Sequence, residues 1–248
     1  VASLFGIYQW ITNSGIPVPW DFENRITSVF DYPNALGLFL GPIIILGCLQ
    51  IYKNHKDWFW IAVTTFSSIA IILAKSEAAL VAVIATLIVF FVSNKKTRKI
   101  TSAFLVAAAI IIVLIPSLRN PISQKLLLQD YSGQVRITIW TESIEMLKTR
   151  PIFGAGLSGF PSTLKPFHKA KHLELFQYPH NTFLNIWTEL GLLGILAFCL
   201  LAFQILKKPQ NTIALFVLLE MFIHGLVDVP YFKNDLAILT WIFLAILI

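Results

Sequence analysis

The chain has 248 residues, 56% of them hydrophobic and 13% charged, whereas an ordinary soluble domain carries about 25% charged residues. This balance excludes a fold designed only for water. The formal net charge of +6 does not point to nucleic acid, because most of the basic residues stand in short connections between apolar runs.

Residues 1–8 look like the end of an earlier apolar span and lack the basic region and cleavage site of a signal peptide. A bilayer span needs ~20 mostly apolar residues. Such segments follow at 35–52, 58–74, 78–93, 101–116, 182–206 and 211–229, and a last one begins at 236 and runs to Ile248, as expected of a piece of a longer protein. Cys48 and Cys199 fall inside these runs and read as small packing residues, not as a disulfide framework.

The expected fold is therefore all-α, a polytopic membrane bundle of about seven spans, the last truncated. Lys53 and Lys56, then Lys95, Lys96, Arg98 and Lys99, and then Lys207 and Lys208 mark three inside connections. The poorer connections, Lys75 with Glu77 and Asp228 with Lys233 and Asp235, fall outside. Four regions result: an extracytoplasmic segment at 1–34, four membrane helices in 35–116, an extracytoplasmic helical loop at 117–181, and three membrane helices in 182–248. That loop is far longer than the usual connection of about 4–6 residues and is expected to hold function.

Within the loop, 135–148 has the pattern of an amphipathic helix with Ile137, Trp140, Ile144 and Leu147 on one face, ended by Pro151 and the turn Gly154-Ala155-Gly156. Helical pattern resumes after Pro179, so His180 and Asn181 are expected at the outer mouth of a membrane helix. A neutral imidazole there can accept a proton near neutral pH; the plainer alternative is that His180 caps the helix or sits at the headgroup boundary.

Guanidinium groups hold phosphate oxygens through paired donors, which makes Arg25 and Arg136 candidates for a diphosphate. Otherwise Arg136 stacks on Trp140 and Arg25 anchors at a headgroup. The remaining loop cations, Arg119, Lys125, Lys148, Arg150, Lys165, Lys169 and Lys171, either attract an anionic lipid or are simply solvated.

Glu189 lies ~10 Å along its helix at 1.5 Å per residue, and an ionisable group at that depth calls for a partner inside the bundle. Glu220, His224 and Asp228 repeat every four residues and are expected on one face of the sixth span, able to pair with Glu189. They are the best place for a metal, though a sparse one. The glycines at 154, 156, 191 and 194 read as a turn and as close helix packing, not as phosphate loops.

Four stretches resemble the O-antigen ligase and polymerase superfamily: Arg25-Ile26-Thr27-Ser28-Val29-Phe30 with Pro33-Asn34; Arg136-Ile137-Thr138-Ile139-Trp140 with Arg150-Pro151-Ile152-Phe153-Gly154-Ala155-Gly156; Pro179-His180-Asn181 with Glu189, Gly191 and Gly194; and His224-Gly225-Leu226-Val227-Asp228. One departure is Ser76-Glu77-Ala78, where family members often carry Ser-Arg-Gly, so no role for that arginine carries over.

The resemblance implies a fold like the GT-C glycosyltransferases in a bacterial inner membrane, with its site facing the periplasm or cell exterior. It implies an undecaprenyl-diphosphate-linked glycan as donor and metal-independent transfer without a cofactor or nucleotide sugar. His180 would be the catalytic base, Arg25 and Arg136 the diphosphate ligands, and Asn181, Glu189, His224 and Asp228 supporting residues.

The acceptor stays open: a lipid A core sugar for a ligase, another glycan repeat for a polymerase, or a protein hydroxyl for a protein O-glycosyltransferase. From other classes, a transporter or flippase would share the buried ionisable residues but should show internal repeats or matched broken helices, and the sequence displays neither. An inactive scaffold is the remaining alternative.

Overall fold

Backbone polar groups have no water to bond with inside hydrocarbon, so apolar runs such as these must satisfy them within helices. The computed structural model describes residues 1–207, 211–231 and 234–247, with only the backbone of Asn234 and Asp235. The charge assignments of Lys208, Lys233 and the Asp235 side chain lie outside the described residues. In chain order the helices are α1 (Ala2–Thr12), α2 (Pro33–Lys53), α3 (Trp58–Leu73), α4 (Glu77–Ser93), α5 (Arg98–Leu114), α6 (Pro116–Leu126), α7 (Tyr131–Thr149), α8 (Phe160–Leu164) with a short 3-10 turn, α9 (Thr182–Lys207), α10 (Thr212–His224) and α11 (Asn234–Leu247). There is no strand among the described residues.

Each of the seven expected apolar segments is helical over most of its described length, the sixth only as far as His224. Among the described residues, α2 and α9 are long and apolar enough to cross a membrane, α5 qualifies together with the helices bent away from it, and α3, α4, α10 and Leu236–Leu247 are apolar but shorter. The fourth segment stops at Leu114, not at residue 116, and bends by 102° into the following helices. Pro116 explains the stop, since it has no N–H to continue the ladder and opens the next helix.

The chain divides into two units, the first built from α1–α4, α10 and α11, the second from α5–α9 with Leu226–Val229. In the first, α2 packs against both α3 and α10. Apolar tails offer no hydrophobic drive between membrane helices, so close approach at small residues must supply the packing. Gly37 admits Ser76 and Gly41 admits the Glu220 carboxyl; a Cβ at either would collide with them. Before α2, the buried Gln9 accepts the N–H groups of Thr27 and Ser28 and donates to the carbonyls of Gly15 and Ser28, which ties α1 to the segment carrying Arg25.

In the second unit, α5 has no buried residue and shows apolar side chains such as Ile100, Phe104 and Leu114, a surface suited to lipid. The core lies around α7, where Ile139, Met146 and Leu147 pack with Phe160 and Leu164. This corrects the expected face of that helix: Leu147 is buried, but Ile137 and Ile144 are exposed. The helix carries two apolar stripes, and the one covered by α8 and the start of α9 became the inside. Cys199 is likewise exposed instead of packed.

The expected straight span at 182–206 is broken. Gly191 has φ 68° and ψ −164°, a conformation open essentially to glycine. The turn after α7 fills the break: Ala155 N–H donates to the Thr188 carbonyl at 2.6 Å, and Leu192 N–H donates to Ile152 O at 2.9 Å. Trp187 Nε1 adds a bond to Pro151 O at 2.7 Å. A side chain at Gly191 would run into Ile152 O, and one at Gly154 would lie 2.5 Å from the Trp187 and Thr188 carbonyls. Gly191 therefore serves a docked turn, not helix-on-helix packing.

Candidate functional site

The second unit gathers four of the seven expected site residues on one short segment. α10 ends at His224, with Gly225 as its cap. Asp228 therefore lies beyond the helix and not on one face with Glu220 and His224. Its Oδ1 accepts the Val229 N–H at 2.8 Å, and Pro230 follows; both favour a turn over further helix.

His180 stands at the mouth of α9 with φ 49°, a left-handed backbone that costs a non-glycine residue about 1–3 kcal/mol and that clusters at functional sites. Both neighbours in the chain are pinned. Pro179 O accepts from Trp140 Nε1 of α7 at 2.9 Å. Asn181 caps α9, its Oδ1 accepting Leu184 N–H at 3.0 Å while its Nδ2 donates to Leu226 O at 2.8 Å.

His180 Nδ1 lies 3.3 Å from Asp228 Oδ1, with the imidazole side chain 22% exposed and the carboxylate 2% exposed. An ionised carboxylate can only accept, so Nδ1 carries the proton and Nε2 remains the basic nitrogen. Arg136 donates from Nε to Val227 O at 2.9 Å, one residue before Asp228. The segment Leu226–Val229 thus holds an imidazole, the carboxylate that fixes its tautomer and a guanidinium bonded one residue away.

Arg25 belongs to the first unit. Its Nε donates to Ala74 O at 3.0 Å, Nη2 to Asn34 Oδ1 at 3.2 Å and Nη1 to the exposed Glu23 at 3.3 Å, and the guanidinium lies 5.1 Å from the Trp20 ring centroid. Asn34, singled out with Arg25 in the sequence, is thus its hydrogen-bond partner. Also in this unit, His224 Nδ1 lies 3.5 Å from Glu220 Oε1, with side chains 1% and 0% exposed. Glu189, in the second unit, takes its hydrogen bonds from Asn185 Nδ2 at 3.3 Å and from the Ser158 N–H, in place of the Glu220, His224 and Asp228 stripe. No cluster of three or more metal-ligating side chains occurs among the described residues.

Sequence reasoning missed two groups. Tyr178 donates its hydroxyl to Asp228 Oδ1 at 3.2 Å and packs its ring against His180 in a tilted contact. Glu142, on the buried face of α7, accepts from His168 Nδ1 at 2.9 Å and from the N–H groups of Lys169 at 2.7 Å and Ala170 at 3.1 Å. Burial alone would push the Glu142 carboxyl up, but His168 and the two N–H donors together hold it below the usual carboxylate value. An acid three residues after Ile139 in an apolar stripe was the available signal.

A family profile described as O-antigen ligase matches residues 61–199. The chain is also similar to a protein named as a polysaccharide ligase from Rickettsia conorii, 30% identical over 96 residues, which cover 36% of this chain and 23% of that protein. A counterpart in Rickettsia felis is 29% identical over 96 residues, with 36% and 24% coverage, and one in Rickettsia prowazekii is 30% identical over 96 residues with the same coverage. The matched segment thus spans only 23% to 24% of the length of these relatives.

Proposed function

This chain belongs to the O-antigen ligase family, and from that premise we propose that the protein transfers a glycan from undecaprenyl diphosphate to an acceptor hydroxyl at the outer face of the bacterial inner membrane. The observation that supports this reading most is the His180 imidazole at the mouth of α9, oriented by Asp228, with Arg136 bonded to the adjoining Val227.

In the proposed step, Nε2 of His180 takes the proton of the acceptor hydroxyl as its oxygen bonds to the anomeric carbon. The bond from that carbon to the phosphate oxygen breaks, and the lipid diphosphate leaves with the electron pair. Arg136 stabilises the charge that builds on it. Attack from the face opposite the leaving group inverts the anomeric centre. Arg25, in the first unit, is proposed as a diphosphate ligand on its chemistry and its motif alone, exchanging the exposed Glu23 for phosphate oxygens.

A polymerase or a protein O-glycosyltransferase of the same superfamily would use the same groups with another acceptor. A transporter is favoured only by the break at Gly191, since broken helices line transport sites when they come as matched pairs. Purified full-length protein, given a radiolabelled lipid-linked glycan with lipid A core, glycan or protein acceptors, separates these readings. Label is expected to appear on one acceptor; label that only crosses the bilayer of sealed vesicles, with no acceptor modified, would overturn the proposal.

A further inference from the structure

Among the described residues, three donors meet at Asp228 Oδ1. Val229 N–H lies 2.8 Å away, the Tyr178 hydroxyl 3.2 Å and His180 Nδ1 3.3 Å. Tyr178 is 7% exposed, and its ring centroid stands 4.3 Å from that of His180 at an interplanar angle of 44°. Phe176 meets the same imidazole edge-on, at 5.3 Å and 83°. The ring is thus held between two aromatic side chains, only one of which has a polar group, and that group is spent on the carboxylate.

We propose that Tyr178 is a positioning residue for transfer, which acts through Asp228 by sharing the carboxylate charge that faces His180 and by holding the imidazole plane. This rests on the reading of His180 as base. A hydroxyl donating to a carboxylate stabilises its negative charge and weakens what it offers to another donor. Without that hydroxyl, Asp228 stabilises the protonated imidazole more strongly. His180 must be neutral to accept a proton, so it would then become competent only at higher pH. Of the other described groups near the pair, Phe176 is apolar, Thr182 donates to the Asp228 backbone carbonyl, Asn181 is uncharged and bonded to Leu226 O, and the Arg136 cation, held on Val227 O, stays the same in either case.

The test is the pH dependence of kcat/KM for transfer in the full-length protein. Tyr178→Phe should move the acid limb to higher pH by roughly half a unit or more, the scale of one hydrogen bond to a charged group divided among three donors. Replacing Tyr178 with 3-fluorotyrosine, whose hydroxyl is a stronger donor, should move the limb the opposite way, and this arm decides if the phenylalanine variant does not fold. An acid limb that coincides with wild type, or shifts with the reverse signs, overturns the inference and leaves Tyr178 as packing. His180→Ala run in parallel keeps the two claims apart: activity retained there refutes the base itself, whereas an inactive His180→Ala beside an unmoved Tyr178 profile refutes only this proposal.

Discussion

Two histidine–carboxylate pairs of almost equal spacing lie in the two units, His180 with Asp228 at 3.3 Å and His224 with Glu220 at 3.5 Å. The first is partly open to solvent, and its carboxylate oxygen is supported by Tyr178 and Val229. The second is sealed against Gly41 of α2, and among the described residues its two groups have only each other as close polar side-chain neighbours. A base must reach its substrate, and a carboxylate that orients it must itself be held. Residue type and separation are therefore poor guides to chemistry; exposure and supporting donors divide the pair proposed for transfer from the pair sealed between helices.

The largest difference between the pairs should come from removing one carboxylate charge. Asp228→Asn is expected to slow transfer by about 10²-fold or more, within the range that general-base catalysis contributes, at an unchanged melting temperature in detergent. A rate near wild type would put the two pairs on the same footing.

The site also depends on the mouth of α9 staying docked. Gly154→Ala places a Cβ against the Trp187 and Thr188 carbonyls on a backbone with φ +63°, and should destabilise the second unit by about 2–4 kcal/mol. The corresponding loss of thermal stability checks this.

A third pair, Glu142 with His168, fastens the segment after α8 to α7. Glu142→Gln should cost about 1–2 kcal/mol, seen as faster proteolysis of residues 165–175. Because folding lowers the Glu142 pKa, its stabilisation is complete above the ordinary carboxylate value and fades as pH falls through the lowered one. Acid-induced loosening of this segment in wild type, absent in the glutamine variant, is the expected signature.

The smallest effect is expected at the sealed pair. Glu220→Gln preserves shape and should leave the transfer rate and its pH profile close to wild type. A strong loss of turnover in a folded Glu220→Gln variant would erase the distinction between the pairs.

Much of this was legible in the sequence, because local periodicity and punctuation decide where helices run: a described helix fills most of each apolar segment, and Asn181 opens α9 next to His180. What escaped depends on partners distant in the chain. A four-residue spacing places Asp228 with His224 only while a helix lasts, and it ends at His224. Gly191 read as a packing glycine because the turn that fills its break comes about 36 residues earlier, as the Trp187 to Pro151 bond spans. Tyr178 sits two residues from His180, yet its meaning lies in a carboxylate 50 positions away. On α7 the sequence put Ile137 and Ile144 on the inner face, and only the covering residues show that Ile139 and Met146 face inward with Leu147.

The central claim is that the His180 imidazole removes the acceptor proton. Full-length protein carrying His180→Ala, assayed for both binding and turnover of a lipid-linked glycan, tests it most directly. Donor binding should persist while transfer is abolished; turnover equal to wild type would contradict the account.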